Sequence, residues 1–470
     1  MRQSIAAKAT SMLAVSLLCL GALCSLPALC ENADAAPKQE VKQGQAAGDK
    51  TLDLTPVKSI AYPDEKARLF DYVYLGKFEE LHKICDAKIA DGTAKAYHYQ
   101  VLALGWLYPT QALTVKAVRV CQAGLNYYPD DLGLQSTLAV SLARNLQWAP
   151  ALRQAISVLD KDPKNVPALA VKAICLHRAG REDPGLLVLR RGLAIDPGDQ
   201  ELNMLVVFYA RMRGKRDDLY VAFDRWNHLR PRSAVGYCWR GEFEYDDSRQ
   251  EEAIKSFGTA VSLNPDYVIA LYKLGKLNYN KQNWSVACKL LLKYERLGGH
   301  HETGIVRLCD CLLRTKQYKE AVRVCTMAME MFKDKTTRQE EALGVPGFAV
   351  LRESSLYVES QVKRAIANFH SGDIKNASAD VGFVLKEHPD NVPALDLNQK
   401  IAFKTGNYSA AVVSLSKLID IDRDVPQWYI DRAEAFTKLG KLEAAQEDLR
   451  IVDAINKTGK LPETSSARNL

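Results

Sequence analysis

The chain has 470 residues, 47% hydrophobic and 25% charged, with a formal charge of +7. That is an ordinary composition for a folded protein, and a mild charge without long basic or acidic runs gives no reading as a nucleic-acid binder. The length suggests about two to four domains, but a repeat array grows by stacking, and in such a chain length counts repeats instead.

The first 35 residues stand apart from the rest. Arg2 and Lys8 precede an apolar run from Met12 to Leu29, interrupted by Ser16, Ser25 and Pro27, and Ala33-Asp34-Ala35 offers small residues for cleavage. The pattern is that of a secretory signal peptide cut after Ala35. An uncleaved anchor is the alternative, since the run nearly reaches spanning length. Lipidation fits less well, because leucine precedes both Cys24 and Cys30. Residues 36–61 are mostly Lys, Gln, Ala and Gly and read as a flexible linker. No later segment has spanning length, so the mature protein is expected to be exported, periplasmic or secreted, with no transmembrane segment.

From Tyr62 onward the chain repeats. Pro129, Pro163, Pro197, Pro231 and Pro265 are spaced 34 residues apart, and Asp131, Asn165, Asp199 and Ser233 each follow two residues behind a rung. Proline ends one helix and the short polar side chain caps the next; Tyr267 alone breaks the rule. Pro389 and Asn391 restate the signal, and the pentapeptide NVPAL recurs at Asn165–Leu169 and Asn391–Leu395. With proline at position 32, units start at His98, Leu132, Val166, Gln200, Ala234, Val268 and Glu302, then at Val358, Val392 and Pro426, with a looser copy near Tyr62.

Within a unit the 3.6-residue period appears twice, which predicts a helical hairpin. Position 20 is small (Ala117, Ala151, Ala253, Ala287, Ala321, Ala377, Ala411, Ala445), and position 8 often so (Gly105, Ala139, Ala173, Gly241, Gly275, Ala365, Ala433). Gly76, Gly372, Gly406 and Gly440 supply the left-handed residue between the two helices. Residues 62–335 give a first block of eight repeats, 336–357 an insertion around Gly344-Val345-Pro346-Gly347 that hinges the array, and 358–459 a second block of three. Residues 460–470 are a polar tail.

These residues resemble the tetratricopeptide repeat, whose 34-residue period separates it from families with periods of 33 or of 40 and more. The unit from Ala234 carries Tyr237, Gly241, Ala253, Phe257, Ala260 and Pro265 at the family's positions. The unit from Pro426 carries Tyr429, Ala433, Phe436 and Ala445. The unit from Gln200 departs most, with Val207, Leu219 and Trp226 where small residues belong. The resemblance implies an all-α, right-handed α-α superhelix of about eleven hairpins that binds peptides in a concave groove lined by first helices.

Positions 4, 7, 8 and 11 of the first helix belong to the core, which leaves 2, 5, 6, 9, 12 and 13 for that groove. They supply Phe208, Trp239, Tyr245, Tyr272, Lys273, Lys276, Tyr279, Asn280 and Arg307. Trp239, Lys273 and Arg307 share position 6 in consecutive units and are expected to stack as a ladder. Aromatics and cations together suit a peptide with acidic groups; the alternative is that they pack between helices or are solvated. The family's clamp for a terminal carboxylate does not carry over, since only Arg307 matches it, while Cys238, Glu242, Lys273 and Thr303 stand elsewhere in it.

Eight cysteines lie beyond the signal. Burial as free thiols is the plain reading. An oxidising compartment opens disulfides as a second, and the hairpin geometry puts Cys309 level with Cys325 and Cys288 level with Cys311. Cys309 and Cys311 point apart on one helix, so they do not chelate a metal with His300 and His301. No nucleotide loop or catalytic signature occurs, and repeats fill the length a catalytic domain would need, so neither enzymatic activity nor a cofactor is expected.

The expected function is therefore a non-catalytic scaffold for a protein or peptide of unknown identity. One alternative is an envelope assembly component acting through its convex face or its last hairpin, where self-association is also open. Another is a binder of small ligands or carbohydrates.

Overall fold

Two amphipathic helices in every 34 residues can hide their apolar stripes only by pairing with each other and stacking on the next pair. The computed structural model has this arrangement. It describes residues 62–107, 113–212, 214, 216–343 and 355–458. The signal, the linker, the Gly344–Gly347 centre of the insertion and the polar tail lie outside them.

Among the described residues there are 22 helices and no strand, in eleven hairpins. In the first five, α1 (Glu65–Leu75) pairs with α2 (Phe78–Ala90), α3 (Ala96–Leu107) with α4 (Thr114–Tyr127), α5 (Leu132–Arg144) with α6 (Trp148–Lys161), α7 (Val166–Arg178) with α8 (Glu182–Ile195), and α9 (Gln200–Met212) with α10 (Arg216–Leu229). The next three are α11 (Ala234–Asp246) with α12 (Gln250–Leu263), α13 (Val268–Asn280) with α14 (Trp284–Arg296), and α15 (Glu302–Arg314) with α16 (Tyr318–Leu343). The last three are α17 (Ser355–Ser371) with α18 (Ile374–Glu387), α19 (Val392–Thr405) with α20 (Tyr408–Ile421), and α21 (Pro426–Lys438) with α22 (Leu442–Thr458). First helices of neighbouring hairpins also touch one another along most of the array, as α5 with α7 and α15 with α17, which sets them in one layer. None of the described helices is long and apolar enough to cross a membrane.

The caps form where the prolines predict them. Asp131 accepts from the Leu134 N–H (2.8 Å), Asn165 from Ala168 (3.2 Å), Asp199 from Leu202 (2.9 Å), Ser233 from Gly236 (3.0 Å) and Asn391 from Ala394 (3.0 Å). These caps are local, and the helices they start, α5, α7, α9, α11 and α19, begin at position 1 of the unit; α13, α15 and α21 begin there too without a side-chain cap. Thr336–Leu343, the first part of the expected insertion, prolongs α16 as helix.

Position 15 is left-handed in ten of the eleven hairpins; in the second it lies outside the described residues. Glycine holds it at six sites, but Leu146, Ser248, Gln282 and Lys316 adopt it at φ between 58° and 63°. At position 8 the small residue is required by contact: a Cβ on Gly241 would stand 2.9 Å from the Phe257 ring and one on Gly275 2.8 Å from Leu291. The fifth hairpin, with larger residues at the close-approach sites, packs all the same. Val207, Leu219, Phe223 and Trp226 are buried, and the last two rings stack at 6.0 Å. Its Trp226 ring N–H finds no hydrogen-bond partner among the described residues.

Position 7, leucine in the resembling family, is arginine in hairpins six, nine and eleven. Arg364 forks onto Asp380 (2.9 and 2.6 Å) and reaches Thr326 (3.3 Å). Arg432 forks onto Asp448 (2.9 and 2.7 Å) and reaches Ser416 (3.0 Å). Arg240 holds Glu244 and Asp224. Each guanidinium thus ties a first helix to the second helix of the hairpin before it, satisfying buried charge with several donors at once.

One contact has no counterpart in the repeat. The first hairpin returns to the turns that lead into hairpins five, six and seven. Phe78 sits edge-on to Tyr267 at 6.2 Å and joins the core that contains Ala234 and Val235. Asp71 pairs with Arg232 at 3.2 Å while accepting from the Tyr62 hydroxyl at 2.6 Å. Arg230 lies over the Tyr74 ring at 5.4 Å and also grips Asp196 (3.0 Å) and the Gly198 carbonyl (3.3 Å). Tyr267 breaks the capping rule for a reason: its ring is buried under Phe78 and Gly76.

Candidate binding groove on the first helices

The layer of first helices presents its non-core positions on one shared face. Along it the cross-helix partners run from position 9 of one helix to position 6 of the next. Glu242 on α11 pairs with Lys273 on α13 at 2.7 Å, and Asp310 on α15 with Lys363 on α17 at 3.9 Å. Position 12 supplies aromatic walls: Lys276 lies over the Tyr245 ring at 4.6 Å and Arg307 over the Tyr279 ring at 5.7 Å. The Tyr279 hydroxyl donates to Asp310 at 3.1 Å, and burial, then that carboxylate, pushes its pKa up to about 12.

Most of the residues singled out from the sequence lie on this face, in differing roles. Trp239, Tyr245, Lys273, Lys276, Tyr279 and Arg307 are half-buried there, and Asn280 is exposed. Phe208 meets the His177 ring edge-on at 6.0 Å. Trp239, Lys273 and Arg307 find their partners diagonally and not along position 6: Trp239 packs on the cores of hairpins five to seven, Lys273 takes Glu242, and Arg307 takes Tyr279 and the Thr303 hydroxyl (3.2 Å). Tyr272 belongs to the seam between hairpins seven and eight, its hydroxyl 3.2 Å from His301 Nδ1 and 3.3 Å from Thr303 Oγ1. Burial lowers the His301 imidazole, and the cations of Arg307, Lys273 and Lys276 lower it further.

A cavity of about 940 Å³ opens farther along the face, lined among others by Asp310, Leu313, Val362, Lys363, Ile366 and Pro389. The sequence reading missed it, although Lys363 and Ile366 hold positions 6 and 9 and carry the same signal as their counterparts in α13. The eight described cysteines are buried free thiols. Cys309, at position 8, touches Cys325, at position 24, and burial holds its thiol well above the ordinary range. Cys288 accepts from Thr315 Oγ1 (3.8 Å) and Gln317 Nε2 (3.5 Å), and burial pushes neighbouring Cys311 up to about 12.

Residues 229–282, which span the sixth hairpin and all of α13, match the sequence model described as TPR repeat. The sequence has no significant match among curated proteins. Among solved structures it is similar to YrrB, described as a TPR protein with an unusual peptide-binding site, at 19% identity over 43% of this chain and 93% of that one, with a TM-score of 0.35. It is similar to PilF of Pseudomonas aeruginosa at 15% identity over 50% and 97%, TM-score 0.31. MamA follows at 16% identity over 40% and 91%, TM-score 0.30. The matched stretch is thus a tetratricopeptide repeat by sequence, and the same 34-residue register of helical hairpins runs on to either side of it.

Proposed function

We propose that the array is a non-catalytic scaffold that holds a segment of another protein along the shared face of its first helices, outside the cytoplasm. One observation carries the reading: Trp239, Tyr245, Lys276, Tyr279 and Arg307 form a run of half-buried aromatic and cationic side chains over the first helices of three consecutive hairpins. Such side chains supply most binding energy at interfaces, and packing on one side already restricts their rotamers, which lowers the ordering cost of a partner. The extracytoplasmic setting rests on Arg2, Lys8 and the apolar run before Ala35. The protein recovered from its host is expected to begin at Ala36.

Photo-crosslinking in that host tests the groove. A benzophenone side chain at Trp239 or Tyr279 is expected to capture a protein partner, whereas one at exposed Lys386, on the second helix α18, captures none. Crosslinks arising only from second helices would overturn the reading. A second reading, assembly or self-association through the last hairpin, is favoured by the exposure of Ile430 (39%), Leu442 (60%) and Leu449 (49%). It predicts capture from Leu442 instead.

A further inference from the structure

We infer that Lys276 and Arg307 form a binding rung for an acidic side chain, Asp or Glu, within the peptide segment held in the groove; this rests on the groove reading above. The rung occupies the same 9-to-6 relation as its neighbours on either side. Those neighbours are ion pairs, Glu242 with Lys273 and Asp310 with Lys363. Between them the pattern places two cations together. Lys276 has the Tyr245 ring for company, and Arg307 has the Tyr279 ring and the Thr303 hydroxyl. Among the described residues no carboxylate lies within ion-pair distance of either cation.

The nearby acids are committed elsewhere. Asp310, one helical turn beyond Arg307, accepts from Tyr279 and from Arg314 (2.9 Å) and faces Lys363. Glu242 is taken by Lys273 at 2.7 Å. Two cations of like sign, half-desolvated beside two tyrosine rings, repel each other in the free protein. A carboxylate set between them would gain charge-assisted hydrogen bonds from both and restore the alternation along the face. The occupant is an internal side chain and not a chain end, because the face continues past the rung toward Trp239 in one direction and toward the cavity at Ile366 in the other. Lys273, at the same position 6 as Arg307, is excluded because its charge is already neutralised within the protein.

Fluorescence anisotropy with three labelled dodecapeptides tests this on the full mature chain. The first alternates Glu and Leu and is blocked at both ends; the second has Gln for Glu; the third is the second with a free C-terminal carboxylate. The Glu peptide is expected to bind about tenfold or more tightly than the Gln peptide at low salt, and the gap to close at high salt. Lys276→Gln with Arg307→Gln should abolish the gap, whereas Lys386→Gln should keep it. Lys276→Arg with Arg307→Lys, which preserves charge, should also keep it, and this control guards against loss of fold. No binding of the Glu peptide, an unchanged gap in the double Gln variant, or equal affinity for the free-carboxylate Gln peptide each overturns the rung. If Trp239→Ala weakens both blocked peptides while the rung variants change nothing, the groove reading stands and the rung alone falls.

Discussion

At position 15 the fold asks one residue per hairpin to adopt a left-handed conformation, whatever side chain stands there. For a residue with a Cβ that costs on the order of 1 kcal/mol, and glycine escapes it at the expense of some chain entropy. Gln282 is exposed, its side chain makes no described hydrogen bond, and its φ is 62°. Gln282→Gly should therefore stabilise the seventh hairpin by about 0.5–1 kcal/mol. Gly406→Gln probes the same cost with opposite sign: φ is 74° and nothing lies within 4 Å of an added Cβ, so only the backbone resists. A rise in the melting temperature for the first and a fall for the second are expected in thermal unfolding followed by circular dichroism. Equal melting temperatures would mean that the turn, and not its residue, carries the strain.

At the scale of helices, arginine at position 7 does what leucine does in the resembling family, by a different route. Arg432 and Asp448 are 6% and 0% exposed, and the fork between them is completed by Ser416 from the preceding hairpin. Arg432→Leu fits the family pattern yet leaves a buried carboxylate unpaired, which costs about 3–5 kcal/mol. In a stacked array the loss stays local, so fast hydrogen exchange confined to α21 and α22 is the expected signature. Arg432→Leu with Asp448→Leu should regain most of the protection. The contrast explains what the sequence discloses. Helix starts are written in residues that act on their own backbone, such as Asp131 or Asn391, and these fell into place. The arginine forks, the diagonal rungs and the neutralisation of Lys273 by Glu242 involve partners 16 to 31 residues away on other helices. A single residue's identity does not name such a partner; only the register between helices does.

For the whole array, the return of the first hairpin to the fifth, sixth and seventh is the feature with least trace in the sequence. Phe78 and Tyr267 each satisfy their own repeat as ordinary apolar residues, and only the stacking of the units between brings them together. The contact also has a titrating element. Asp199 caps α9 at the edge of this junction, within electrostatic reach of the half-buried Tyr74, and desolvation pushes its carboxyl up to about 7, with the charges of Glu201 and Asp196 adding to the rise. The unfolded chain titrates this group near 4. Between about pH 4 and 7 the native state therefore holds a proton that the unfolded chain has lost, and stability falls as pH rises through that window. The backbone N–H groups of Leu202 and Glu201 point at this carboxyl and oppose the shift only in part. Asp199→Asn keeps the cap, since asparagine caps as well as aspartate, but removes the proton. The parent should lose stability between pH 5 and pH 8 by an amount on the order of 2 kcal/mol, allowing for solvent at a half-buried carboxyl, and the variant should lose distinctly less. Phe78→Ala, which loosens the junction and lets water reach Asp199, should flatten the profile in the same way and enlarge the radius of gyration in solution scattering. A parent profile as flat as that of Asp199→Asn would mean that the junction leaves this carboxylate hydrated.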